Sequence, residues 1–170
     1  MLGFGAAGTI AAWNDSEEAT GNFTAGQFGI EGSPDGTNFT ESPTPEEAAT
    51  LNFAFDADEL MPTGRAYTEY AVQLTDYSIY QAEVEVQTEL TGANAAHITP
   101  AYVYTNDATC DAEAFAAGTE ELANVPDFTL EYRTPVFVCF QLTASENLVP
   151  GATATLLTQF RAQATDELDT

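Results

Sequence analysis

The chain has 170 residues, 44% of them apolar and 11% aromatic, and sets 27 Asp and Glu against 3 Arg, for a formal net charge of −24. A chain of this size suits one compact domain burying roughly 70% of its unfolded surface, so disorder is not expected despite the charge. A surface with almost no cations cannot neutralise phosphates, which excludes nucleic acid and anionic lipid headgroups as partners.

In chain order, the first 12 residues carry no charge and are too few to cross a bilayer as a helix of about 20 residues. They read as the end of a secretory apolar region. Thr9, Ile10 and Ala11 put small residues where a signal peptidase cuts, which would leave Ala12 as the mature start. The basic segment that opens such a region is missing, so either the sequence begins inside a precursor or the stretch belongs to the mature protein. In the second case its parity matters. Leu2, Phe4, Ala6, Ile10 and Ala12 fall on one side and Gly3, Gly5, Ala7, Thr9 and Ala11 on the other, the period of an extended strand with one apolar face. Such a segment can add to an unpaired sheet edge, gaining affinity from the main-chain ladder and register from alternate side-chain pockets. If residues 1–11 are removed, Trp13 and the stretch to Thr24, with Phe23, remain for that role; folding back onto its own sheet is the other outcome.

Residues 31–49 are rich in Ser, Pro, Thr, Gly and Glu, with Pro34, Pro43 and Pro45. They can neither fill a core nor pair as a central strand, and are expected to form an exposed excursion. From Leu51 onward strand follows strand: 51–55, 67–74, 78–90, 98–104, 128–132, 136–142 and 153–160. In 78–90, Ile79, Glu83, Glu85, Gln87 and Glu89 oppose Tyr80, Ala82, Val84, Val86, Thr88 and Leu90, which predicts a long half-buried strand with carboxylates on its wet face. Turn residues separate the strands at Met61 to Gly64, Thr91 to Asn94, Asn106 and Asp107, and Val149 to Gly151. Only 111–117 and 119–123, rich in Ala and Glu, look helical. Strands so spaced, without long helical periodicity, predict an all-β antiparallel β-sandwich, jelly-roll-like, with one short helix in a loop.

Cys110 and Cys139 lack the CxxC spacing of a metal or redox site. An exported chain would join them and so tether the helical loop to a strand; a chain kept reduced would hold two core thiols. Three Asn-x-Ser/Thr sequons, at Asn14, Asn22 and Asn38, are candidate N-glycosylation acceptors, although Asn is also common in turns. With one histidine, His97, paired-His zinc motifs are impossible within the chain, and no nucleophile elbow accompanies it. Walker and dinucleotide glycine motifs are also lacking: Gly3, Gly5 and Gly8 match GxGxxG, but no strand precedes them. Asp56, Asp58 and Glu59 could offer hard oxygen ligands to Ca²⁺, yet lack the glycine and distal glutamate of an EF-hand loop. Tyr67, Tyr70, Tyr77 and Tyr80 could form an aromatic platform beside a pair of acids; at alternating positions they also suit cross-strand packing.

Residues 8–30 carry a resemblance. Gly8, Thr9, Ile10, Ala11 and Ala12 lead into Trp13, Asn14 and Asp15, and Phe23, Thr24, Ala25 and Gly26 follow. This segment resembles the TasA/camelysin family of proteins exported through the SipW-type signal peptidase, in which a small-residue run ends near an aromatic-x-Asp and is followed by Phe-x-Ala-Gly and a first strand. The turn at Met61 to Gly64 and the Thr-rich last strand after Pro150 and Gly151 fit the same pattern. Gly29 stands where the family usually has an acid, and the cysteine pair is not general in it. The resemblance implies an extracellular jelly-roll subunit of fibres or pili, polymerising when the N-terminal segment completes a sheet of the next subunit. Some camelysin-like proteins have been described as metalloproteases, a label that a chain with one histidine does not support.

The combined expectation is an N-terminal export remnant or donor-strand arm over 1–24 and a single sandwich domain over 25–170. The chain is expected to be a secreted, non-enzymatic structural subunit whose partners are identical subunits, with no resident cofactor. The competing expectation is a secreted monomeric binding domain or adhesin holding Ca²⁺ or carbohydrate at acidic loops.

Overall fold

The computed structural model describes residues 27–49, 51, 60–120 and 128–167. Within them lie strands β1 (Ile30–Ser33), β2 (Arg65–Leu74), β3 (Tyr80–Thr91), β4 (Ile98–Thr105), β5 (Thr119–Glu120), β6 (Phe128–Leu130), β7 (Val136–Ala144) and β8 (Thr155–Glu167), with one helix, α1 (Ala112–Ala117). Every pairing between strands is antiparallel. They build a five-stranded sheet in the order β1-β2-β7-β4-β5 and a three-stranded sheet in the order β6-β3-β8. The chain is thus the expected all-β sandwich. The predicted strand over 51–55 lies, apart from Leu51, outside the described residues.

Period-two alternation sets the core. On β2 the inward row is Ala66, Thr68, Tyr70, Val72 and Leu74, and on β3 it is Ala82, Val84 and Val86. Val72, Leu74, Ala82, Val84 and Leu130 form the buried cluster, flanked by Phe28, Ile30, Tyr70, Phe128, Val136, Phe160 and Ala162. Rings bridge the two sheets: Tyr70 stacks on Phe160 at 5.4 Å between centroids, and Tyr104 meets Phe128 edge-on at 5.5 Å. Each fully buried Leu or Val here contributes about 1.5–3 kcal/mol. The expected wet face of β3 is present, with Glu83, Glu85, Gln87 and Glu89 opposite Gln163, Arg161, Gln159 and Leu157 of β8.

The opposite, outward face of the larger sheet is covered in part, around Cys139 and Val103. Cys110 and Cys139 form a disulfide across a separation of 29 residues, pinning the segment that carries α1 onto β7. Asp111 caps α1, its Oδ1 accepting from the N–H groups of Glu113 at 2.9 Å and Ala114 at 2.8 Å. Beneath the helix, Phe115 lies 6.0 Å from Tyr67.

Two expectations need correction. The predicted helix over 119–123 does not begin as one: Thr119 and Glu120 pair with Tyr104 and Val103 as β5, and 121–123 lie outside the described residues. The helix stops because Gly118 is extended, with φ −65° and ψ 161°. A Cβ there would fall 2.9 Å from Val103 Cβ, so only glycine lets the chain turn this close onto β4. Likewise, 31–49 is not wholly an exposed excursion. Glu31, Gly32 and Ser33 pair with Gln73, Val72 and Ala71, and Ser33 is fully buried. Gly32 lies directly under the Tyr70 ring, where a Cβ would come within 2.7 Å of Tyr70 Cε1. A polar, glycine-bearing strand is thus selected by the aromatic of its neighbour.

One buried amide joins two connections at one end of the sandwich. Asn94, 4% exposed, donates from Nδ2 to the carbonyls of Val149 (3.0 Å) and Ala152 (2.9 Å), and its Oδ1 accepts from the Val149 N–H at 2.9 Å. The turn after β3 is thereby fixed to the turn that launches β8.

Candidate subunit interface

A strand at the end of a sheet presents unpaired N–H and C=O groups, and proteins usually shorten, bend or cover such edges. One of the four sheet margins here is capped and two are partly covered by very short strands. The β1 margin is capped at Gly32, which exchanges two backbone hydrogen bonds of 2.9 Å with Thr40 of the following loop. The β5 margin is 2 residues long and the β6 margin 3. The fourth is β8, 13 residues from Thr155 to Glu167, which pairs with β3 on one side and with nothing among the described residues on the other. Its sequence contains neither Pro nor Gly.

The inward row of this margin is apolar and incompletely covered. Ala82 and Val84 at one end of β3 are fully buried. Farther along, Val86 and Leu90 of β3 and Leu156, Thr158, Phe160, Ala162 and Ala164 of β8 are half-buried, and Thr88 is exposed. The main-chain edge and the side-chain row together match what an added strand with one apolar face requires.

Electrostatics mark the faces differently. On the exposed face of the smaller sheet, Arg161 is a lone cation in the row, opposite Glu85. On the larger sheet Glu69 is held above the ordinary carboxylate range, first by desolvation and then by the charge of Asp35. Asp35 is held well below that range because its carboxylate accepts from the Asn38 N–H, the Ser33 hydroxyl, the Asn38 amide and the Thr37 N–H. Burial raises the Tyr70 phenol.

The donor-strand residues Leu2, Phe4, Ala6, Ile10, Ala12, Trp13 and Phe23 lie outside the described residues, as do the Ca²⁺ candidates Asp56, Asp58 and Glu59 and the sequons at Asn14 and Asn22. Cys110 and Cys139 are brought together. Asn38 is exposed on the loop after β1. The four tyrosines make no common platform: Tyr67 and Tyr70 face opposite sides of β2, while Tyr77 donates its hydroxyl to Glu41. His97 serves the strand start through its backbone, donating to Asn94 O at 2.9 Å and accepting from Ser145 N–H at 2.8 Å. Among the described residues no three His, Cys, Asp or Glu gather into a metal-binding group, and no helix is long and apolar enough to cross a membrane. β8 outruns the strand expected over 153–160, because its later polar residues Arg161, Gln163 and Thr165 alternate with the small Ala162 and Ala164, a weak signal for a strand.

No protein-family model matches the chain, and no curated protein matches it in sequence.

Proposed function

We propose that the chain is a secreted, non-enzymatic structural subunit that polymerises head to tail, its N-terminal segment adding to the outer edge of β8 in the next copy. The observation that carries this reading is the 13-residue β8 margin, which has no strand partner along its outer side among the described residues, whereas the β1 margin is capped at Gly32 and β6 and β5 cover parts of β3 and β4. Adding one strand there would bring the smaller sheet to four strands and cover the half-buried row from Leu156 to Ala164. The row of Leu2, Phe4, Ala6, Ile10 and Ala12 offers the complementary apolar face; if 1–11 are cleaved, Trp13 and Phe23 remain as anchors in a more polar segment. The contact joins two different surfaces, so it propagates as an open filament. The disulfide supports an oxidising, extracellular setting.

The test compares the whole chain with a variant lacking residues 1–22 in molar salt, by negative-stain microscopy and hydrogen exchange. The whole chain is expected to form long thin fibres in which amides of 155–167 gain protection and those of Ile30–Ser33 do not. The shortened variant, shown folded by circular dichroism, stays monomeric. Fibres from the shortened variant, a whole chain that remains monomeric in salt, or protection gained only at β1 would each overturn the reading. A persistent monomer would instead favour the secreted binding domain.

A further inference from the structure

We propose that Asn38 is an N-linked glycan acceptor, modified by a membrane oligosaccharyltransferase of the exporting cell with a lipid-linked diphosphate oligosaccharide as co-substrate. Asn38, Phe39 and Thr40 form a sequon with no proline at its centre. Both Asn38 and Thr40 are exposed, whereas Phe39 between them is half-buried.

The loop presents the acceptor amide in a fixed direction. Asp35 Oδ1 accepts from the N–H groups of Thr37 (2.9 Å) and Asn38 (2.8 Å), and Ser33 Oγ donates to the same oxygen at 2.7 Å. Asn38 Nδ2 carries two hydrogens. One is committed to Asp35 Oδ2 at 2.6 Å; the other reaches Thr37 Oγ1 at 3.2 Å, a weaker contact. Glycosylation replaces one amide hydrogen and leaves one. The Nδ2–C1 bond forms as the C1–O bond to the phosphate breaks, the bonding pair leaves with the diphosphate, and the amide proton passes to a base of the transferase. The product keeps the stronger Asp35 bond and loses only the weaker one, so the loop conformation survives modification.

The position also has a consequence for assembly. Thr40 exchanges both backbone bonds with Gly32, so the sugar chain would stand beside the already capped β1 margin, on the larger sheet rather than on the sheet that contains β8. It would add bulk against strand addition at β1 without obstructing β8. The modification rests on the export part of the proposed function and not on whether filaments form.

The test is glycopeptide mass spectrometry on the protein isolated from its native cell surface. Trypsin leaves all three sequons on one peptide ending at Arg65, whereas cleavage after glutamate releases residues 32–41 with Asn38 as the sole acceptor. That peptide is expected to carry a saccharide mass, to lose it in Asn38→Gln and Thr40→Ala, and to keep it in Thr40→Ser. Recovery of the peptide solely without saccharide, or a saccharide mass that persists in both Asn38→Gln and Thr40→Ala, overturns the assignment. Failure of fibre formation with a glycosylated Asn38 would count against the filament reading alone.

Discussion

Removal of the Cys110–Cys139 crosslink gives a sharp test of how the outward face of the larger sheet is held. The bridge spans 29 residues and fixes the α1 segment to β7, where Cys139 is fully buried. The chain-entropy relation for a loop of that length gives about 3.6 kcal/mol at 25 °C, arising mainly from restriction of the unfolded chain. For a domain of this size the corresponding fall in melting temperature is about 7–14 °C. The measurement is urea unfolding of the oxidised protein, the protein held in reductant, and the Cys110→Ala/Cys139→Ala double variant. All three belong in molar salt, where a Debye length of about 3 Å suppresses the self-repulsion of the unfolded polyanion. The near-ultraviolet circular dichroism of Tyr67 and Phe115 should change as well, because their contact depends on α1 staying docked. A loss below about 1 kcal/mol on the same entropic scale would refute the argument. So would a large loss with the aromatic signal intact, which would leave the sheet covered without its tether.

Other perturbations probe separate parts of the fold. Gly32→Ala should cost about 1–3 kcal/mol by overpacking against Tyr70, whose ring is already held by Phe160, and Gly32→Ala combined with Tyr70→Leu should recover part of that loss; chemical denaturation reads both. Asp35 has a folded pKa below its unfolded value, so its carboxylate stabilises at neutral pH and the benefit is lost as pH falls through the folded value. Asp35→Asn should therefore lower the melting temperature at pH 7 and make progressively less difference in acid. Glu69 has the opposite sign: its folded pKa is raised, so its contribution is fully present below the unfolded pKa and is lost as pH rises through the folded one. Glu69→Gln should raise the melting temperature at pH 7 and not near pH 3. Finally, the formal charge of −24 predicts a melting temperature that climbs between dilute buffer and molar salt, and an unchanged value would show that mutual repulsion of the carboxylates is unimportant.

Much of the sandwich is legible in the sequence because its strands alternate large apolar with polar residues. The run from Ala82 to Leu90 announces β3, and Asp111 before an Ala-rich stretch announces α1. The cysteine pair is legible from its number alone, since the two cysteines of a chain that meets an oxidising compartment have only each other. What is hidden depends on contacts distant in sequence. β1 contains Gly32 and Ser33, which signal a turn locally, and it becomes a strand because Tyr70 needs a neighbour without a side chain. β5 continues the Ala and Glu composition of the helix before it, and only the packing of Gly118 against Val103 separates the two. The candidate interface is illegible for a related reason: an edge is defined by what does not pair with it, and no local pattern along β8 carries that information.

The bracket formed by Asn94 has a chemical vulnerability. Its nitrogen faces two carbonyl oxygens, so hydrolysis of this single amide to a carboxylate would set acceptor against acceptor in a site 4% exposed. Both turns would be pushed apart and the start of β8 released. An Asn94→Asp substitution would thus loosen the molecule first at the end where its 13-residue strand begins.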